Sequence, residues 1–303
     1  MNSVIDVSHL KKHFGRLVAV DDISFNVEEG EIFGLLGENG AGKTTTIEIL
    51  EGFQHPDGGT VRVLGIEPRH AHREWRDRIG LVLQESEFDP VHTVQETLRL
   101  FAGFFSNPRD VHETLELVGL ADKAKERFGR LSGGQKRRVD VALGIIGRPD
   151  LLFLDEPTTG FDPVARREFW NVISDLRTTG TAIVLTTHYM EEAEALCDHL
   201  AIMSRGSIVA KGTCTALISA LGATMIRFRA PNHDVDIDLV RSLTGAPFEL
   251  HDGCVEVSLS ADVPGVLARL LAWSESTGVE LLDLEVVRPT MNDVFLGATG
   301  CDE

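Results

Sequence analysis

The chain has 303 residues, 43% hydrophobic and 25% charged, an ordinary composition for a folded protein with room for two domains. Its formal net charge of −18, from 47 acidic against 29 basic residues, disfavours broad contact with nucleic acid or anionic lipid. No window approaches the roughly 20 apolar residues of a membrane span. The start MNSVIDVSHLKKHFG lacks the apolar core of a secretion signal, and Cys197, Cys214, Cys254 and Cys301 are too scattered for a zinc site or a disulfide framework. A chain that stays in the cytosol with four reduced thiols is expected.

Short runs rich in Val and Ile open the chain at Val4–Val7 and Leu17–Val20, and Glu31–Leu36 follows; all read as strands. Next comes GENGAGKTTT, in which Gly37, Gly42, Lys43 and Thr44 fit the phosphate-cradling pattern G-x-x-x-x-G-K-[ST] between that strand and a helical run, Thr44–Leu50. In this context the backbone N–H groups of Gly40 to Thr44 point at phosphate oxygens, aided by the positive end of the helix. Lys43 adds a full charge beside the β and γ phosphates. The hydroxyl of Thr44 is placed to ligate Mg²⁺, and Thr45 reaches the α phosphate.

Thr60–Leu64 and Ile79–Leu83 are further strands. From Glu85 to Gly147 strand signals give way to amphipathic helical patterns such as Val94–Phe105 and Arg109–Val118, which reads as an inserted helical subdomain. Within it stands LSGGQ, Leu131–Gln135, ahead of an amphipathic run over Lys136–Ile146. A serine and glycines at a helix start present free N–H groups to an anion. A helix cap alone accounts for Ser132 but not for both glycines and the glutamine.

LLFLDEP, Leu151–Pro157, is an apolar strand ending in two acids, where open α/β sheets deliver their ligands. Asp155 is placed to hold Mg²⁺ through water, and Glu156 to polarise an attacking water. With Ala182–Thr186 beyond a helix near Pro163–Arg177, and Leu200–Met203 after it, the pattern is that of a buried parallel sheet. After about Ala220, strands (Met225–Phe228, Val255–Leu259, Val279–Val287) interleave with helices (Val235–Leu243, Ala261–Trp273, Thr290–Leu296). The order strand, helix, strand, strand, helix, strand points to a small ferredoxin-like unit. A boundary near Leu221–Ala223 follows, giving a domain over 1–220 with its helical subdomain at about 85–147, and an accessory domain over 221–303.

Taken in this order, the three motifs resemble those of the nucleotide-binding subunits of ATP-binding-cassette (ABC) proteins, over about Val4 to Ser219. The resemblance implies a phosphate-loop ATPase core with a mixed sheet and an ATP- and Mg²⁺-dependent head-to-tail dimer of two copies. Each ATP then lies between the Gly37, Asn39, Gly40, Ala41, Gly42, Lys43, Thr44 and Thr45 loop of one copy and Ser132, Gly133, Gly134 and Gln135 of the other. It further implies that Gln84 senses Mg²⁺ and water and takes part in catalysis with Glu156. His188 matches the histidine that contacts the γ phosphate. Gly160, Phe161 and Asp162 match the loop that crosses the dimer, with Phe161 where leucine is more usual. Phe14 matches the aromatic that stacks on adenine, and Glu38, where the family often has proline or serine, is expected to face solvent.

The tail VVRPTMNDVFLGATG, Val286–Gly300, resembles the ending of ATPases in the daunorubicin-type multidrug and lipid-export group. The implied protein is a cytoplasmic ATPase held at the inner face of the cell membrane by a separate integral permease, exporting a hydrophobic or polymeric compound, with no nucleic-acid partner. A soluble ABC ATPase of DNA repair or translation is the alternative. Such proteins usually carry two cassettes or a coiled-coil insertion, and neither is present. A phosphate-loop kinase or GTPase would leave LSGGQ unexplained.

Overall fold

The structure, a computed structural model, describes residues 3–82, 89–222, 224–229, 237–251, 254–259 and 262–300. The chain divides into two compact units, with the boundary between Cys214 and Thr215 and the end of the chain from Ala298 grouped with the first. In chain order the first unit begins with β1 (Ser3–Phe14), β2 (Leu17–Glu28), β3 (Ile32–Gly37), α1 (Lys43–Glu51), β4 (Gly58–Val63), α2 (Arg73–Arg76) and β5 (Ile79–Val82). It continues with α3 (Val94–Ala102), α4 (Val111–Leu117), α5 (Gly133–Ile145), β6 (Leu151–Asp155), α6 (Pro163–Arg177), β7 (Ala182–Thr187), α7 (Met190–Leu196), β8 (His199–Ser204) and β9 (Ser207–Gly212). Helix α8 (Cys214–Ala220) spans the boundary.

Two sheets share the first unit. The larger has the order β5-β6-β7-β3-β8-β9; its first five strands are parallel and β9 returns antiparallel, so the sheet is mixed. Strands β3 and β7 are buried at every residue, as their continuous apolar runs require of central strands covered on both faces. The smaller sheet is antiparallel, β2-β1-β4. Its first two strands extend well beyond the apolar runs Val4–Val7 and Leu17–Val20. The additional residues of β1 include the half-buried Lys12 and the exposed His13, which pair with Val20 and Val18 of β2, and the half-buried Lys11, which pairs with Gly58 of β4; their backbone pairs regardless of side-chain polarity.

The strand periodicity sorts side chains to the two faces of the larger sheet. Leu151 and Phe153 of β6 join α1 and the smaller sheet in one core, while Leu152 and Leu154 join α3, α4, α5 and α6 in the other. A close contact sets the helical layer against the sheet edge. A Cβ on Gly80 of β5 would lie 2.1 Å from the carbonyl oxygen of Gly144 in α5. Only glycine permits that approach.

The second unit comprises β10 (Thr224–Arg229), α9 (Ile237–Thr244), β11 (Phe248–His251), β12 (Cys254–Leu259), α10 (Val263–Thr277), β13 (Leu282–Val287) and most of α11 (Met291–Thr299). Its four strands form an antiparallel sheet in the order β11-β12-β10-β13, the βαββαβ arrangement of a ferredoxin-like unit. Ile226, Phe228, Val255 and Val257 of the sheet are buried with Val240 of α9 and Val266 and Leu270 of α10.

Candidate nucleotide site

At the C-terminal end of β3 the chain turns through Gly37–Gly42 into α1. Gly42 takes φ 105°, and a Cβ there would lie 2.4 Å from the carbonyl oxygen of Ala19; one on Gly37 would lie 2.6 Å from that of Met203. The loop is thus pressed against β2 and β8. Helix α1 has no side-chain cap at its N-terminus. The first-turn amides of Gly42, Lys43, Thr44 and Thr45 therefore lack acceptors one turn earlier. Thr46, which the motif does not count, closes the turn by donating its hydroxyl to the Gly42 carbonyl at 2.9 Å.

Lys43 is buried, and its Nζ donates to the carbonyls of Gly37 at 2.7 Å and Glu38 at 3.1 Å. Burial pushes its pKa below the ordinary lysine range, against the pull of Glu156, Asp155 and Glu38. An ammonium so placed gains by meeting a further anion. Thr44, Asn39, Gly40 and Glu38 are exposed at the mouth of the loop, Glu38 as the sequence suggested. The uncapped helix start, the glycine turn and the buried lysine fit a polyphosphate. The exposed Thr44 hydroxyl and the half-buried Asp155 carboxylate are the hard oxygen donors that Mg²⁺ takes.

Strand β6 delivers the two acids beside this loop. Asp155 pairs with Thr186 across the parallel β6–β7 ladder and accepts its hydroxyl proton on Oδ1. Glu156 has φ 43°, a left-handed conformation that costs a non-glycine residue on the order of 1–3 kcal/mol. Its N–H donates to the carbonyl and the hydroxyl of Thr186, at 3.2 and 3.0 Å, and its Oε2 accepts from Thr159 Oγ1 at 3.2 Å. His188, just beyond β7, places Nδ1 3.5 Å from Glu156 Oε1.

Arg137 escaped the sequence reading. It lies two residues after LSGGQ, is buried, and donates from NH2 to the carbonyl of Asp155 at 2.8 Å and from Nε to that of Pro157 at 3.1 Å. Asp140 lies 3.7 Å from it on the next turn of α5. Burial lowers the Arg137 pKa, and the charges of Asp140 and Asp155 oppose the shift. The only hint in the sequence is its place on the core-facing side of α5.

Ser132 caps α5. Its hydroxyl accepts from the Gln135 N–H at 3.2 Å, and Gln135 Oε1 accepts from the Ser132 N–H at 3.0 Å. This capping box corrects one expectation, since the glutamine is explained by the cap after all. The glycines are not. A Cβ on Gly133 would meet nothing within 4 Å, and one on Gly134 nothing nearer than 3.7 Å, so the unit itself makes no demand for glycine. Gly134, Ser132 and Gln135 line a cleft of about 280 Å³ with Arg138, Lys123 and Glu168.

Gly160 has φ 80°, and Phe161 packs edge-on against Phe169 with ring centroids 5.6 Å apart. Asp162 Oδ1 caps α6 by accepting from the N–H groups of Val164 and Ala165. Phe14, at the tip of the β1–β2 hairpin, is 44% exposed, with Lys12 Nζ 5.3 Å from its ring centroid. Gln84 lies outside the described residues. The structure thus brings Lys43, Asp155, Glu156 and His188 together in one unit, with the Ser132–Gln135 segment on α5.

Fold and site define a nucleoside triphosphatase of the phosphate-loop class. The family model described as ABC transporter matches residues 20–159. A Nod factor export ATP-binding protein I of Ralstonia nicotianae is 38% identical over 98% of this chain and 94% of its own. The linearmycin resistance ATP-binding protein of Bacillus subtilis is 34% identical over 98% of both. A solved ATP-binding subunit of an ABC transporter superposes with a TM-score of 0.64, at 26% identity, covering 72% of this chain and 93% of that one. The chain belongs to the ATP-binding proteins of the ABC transporter family. No helix among the described residues is long and apolar enough to cross a membrane.

Proposed function

We infer that this ATPase hydrolyses ATP at the β3–α1 loop, works as a head-to-tail pair of copies, and powers a separate membrane permease for export. The observation that carries the reading is the convergence of the buried Lys43, the half-buried Asp155 and Glu156 and the exposed His188 beside one uncapped helix start. Lys43 and the first-turn amides of α1 bind and orient the triphosphate. Thr44 and Asp155 hold Mg²⁺, which supplies charge neutralisation across the phosphates when bound. Glu156, held by Thr159 and by the backbone of β7, polarises the attacking water. His188 fixes the carboxylate from the other side and reaches the γ phosphate.

Phe14 offers an exposed face for adenine. Ser132, together with Gly133 and Gly134, whose lack of a side chain nothing in their own unit requires, faces the nucleotide of the second copy. Gln84 reports to the permease, which is met around residues 84–94 and keeps the chain at the inner face of the cell membrane. Export is the direction supported by relatives named for Nod factor export and for linearmycin resistance, two of which match over nearly the whole chain, accessory unit included. The ending Val286–Gly300 supports the same direction.

The test is Mg²⁺-dependent ATP turnover by the purified chain, with binding titrations of ATP and GTP. Turnover of ATP that is abolished by EDTA is expected. Preference for GTP, or co-purification only with nucleic acid or ribosomes, would overturn the reading.

A further inference from the structure

We propose that Glu192 is a positioning residue for hydrolysis: through Thr158 and Trp170 it holds the loop running from Glu156 to α6 in register with the turn that carries His188. The inference rests on the roles of Glu156 and His188 inferred above.

Glu192 lies in α7, four residues after His188, and is fully buried. Its Oε1 accepts the hydroxyl proton of Thr158 at 2.9 Å and the indole N–H of Trp170 at 3.1 Å. Thr158, itself buried, stands two residues after Glu156, and Trp170 lies in α6. One carboxylate oxygen therefore ties three segments: α7, the 156–162 loop and α6. A second link runs parallel to it. The rings of His188 and Tyr189 are 4.1 Å apart, the Arg166 guanidinium lies 4.2 Å from the centroid of Tyr189, and the charge of Arg166 acts on Glu192. The first link starts at Glu192, four residues after His188, and the second at His188 itself; both end on α6 or the loop before it.

Stability gives a poor account of this arrangement. Burial pushes the Glu192 carboxyl above its usual range, against the side chains of Thr187, Thr158 and Trp170 and the charge of Arg166. A buried ionisable group is commonly neutral or unfavourable compared with an apolar side chain of similar size. Its geometric consequence is specific. With Glu156 in a left-handed conformation and joined to Thr158 by a single proline, a shift of Thr158 moves the carboxylate that faces His188. Arg137 holds the Asp155 and Pro157 carbonyls from α5, so Glu192 supplies the constraint from the α7 side. Neither Glu192 nor Thr158 belongs to the β3–α1 loop that binds phosphate.

The expected signature is therefore in turnover, not in affinity. In the full chain, Thr158→Val removes the donated proton while keeping the side-chain shape. It should lower kcat roughly tenfold, the scale on which small misplacements of a reacting group act, with KM for Mg-ATP unchanged within about twofold. Thr158→Ser restores the hydroxyl and should recover most of the rate. In a Glu192→Ala background, Thr158→Val should produce no further loss, since the two act through one contact. Should Glu192→Ala fail to fold, the Thr158→Val and Thr158→Ser pair decides the matter alone.

Wild-type kcat in Thr158→Val, equal loss in Thr158→Ser, or a fall explained by the fraction of chain unfolded in a melting curve would overturn the inference and leave the ATPase reading intact. A wild-type chain that neither binds nor hydrolyses Mg-ATP would overturn both.

Discussion

The Nδ1 atom of His188 lies 3.5 Å from Oε1 of Glu156, and the glutamate side chain is the more enclosed of the two, 13% exposed against 38%. Glu156 is thus held by Thr159, Thr186 and His188. Replacing it with glutamine keeps the shape and removes the basic oxygen. Glu156→Gln should bind ATP normally, hydrolyse it on the order of a hundredfold or more slowly, and accumulate as a closed pair of copies. Size-exclusion chromatography with light scattering, with and without ATP and Mg²⁺, checks this. An unchanged turnover rate would remove Glu156 from the mechanism.

Lys43→Ala should act on binding instead. The ammonium is the cation that offsets Asp155, Glu156 and Glu38 beside the loop, and without it those carboxylates repel a triphosphate. Loss of a charge-assisted hydrogen bond predicts a fall in ATP affinity on the order of tenfold to a hundredfold. Calorimetric titration measures it directly.

The two glycine motifs should respond in opposite ways. Gly42→Ala forces a Cβ against the Ala19 carbonyl at φ 105°, so the melting temperature should drop, by an amount equivalent to about 1–3 kcal/mol. Gly134→Ala has room for its methyl group and should melt like the wild type. Its ATP turnover and ATP-dependent pairing should nevertheless fall under the proposed head-to-tail arrangement, in which the added methyl group would intrude on the second copy's nucleotide. Melting curves and turnover assays on both variants separate the cases.

Glu51, at the end of α1, gives a pH prediction. Burial, with the charges of Asp155 and Glu48, raises its pKa from 4.5 to about 8. Between those values the folded chain binds a proton that the unfolded chain has released, so this group lowers stability as pH rises through the window. Glu51→Gln should therefore melt at least about 2 °C above the wild type near pH 8.5 in EDTA, with the gain fading towards pH 4.5. An equal gain at both pH values would mean that Glu51 does not titrate in that window.

Much of this protein was legible before any fold was known. The phosphate loop, LSGGQ and LLFLDEP are contiguous stretches whose chemistry depends on local backbone conformation: a glycine turn, a helix start, the end of a strand. The continuous apolar runs of β6 and β7 marked a buried parallel sheet, and the order read after Ala220 matches the βαββαβ arrangement, but β11 at Phe248–His251 was not located, being only four residues long. The polar half of β1 was not legible, because its pairing with β2 is carried by the backbone. The role of Gln135 in its own cap was legible in the S-x-x-Q spacing, a capping-box signature that the sequence reading overlooked. Arg137, Thr186 and Glu192 come from three separate elements and meet only around residues 155–158. Buried arginine and glutamate are tolerable only where donors and acceptors from distant segments converge on them. That convergence exists only once the sheet and its helices have packed.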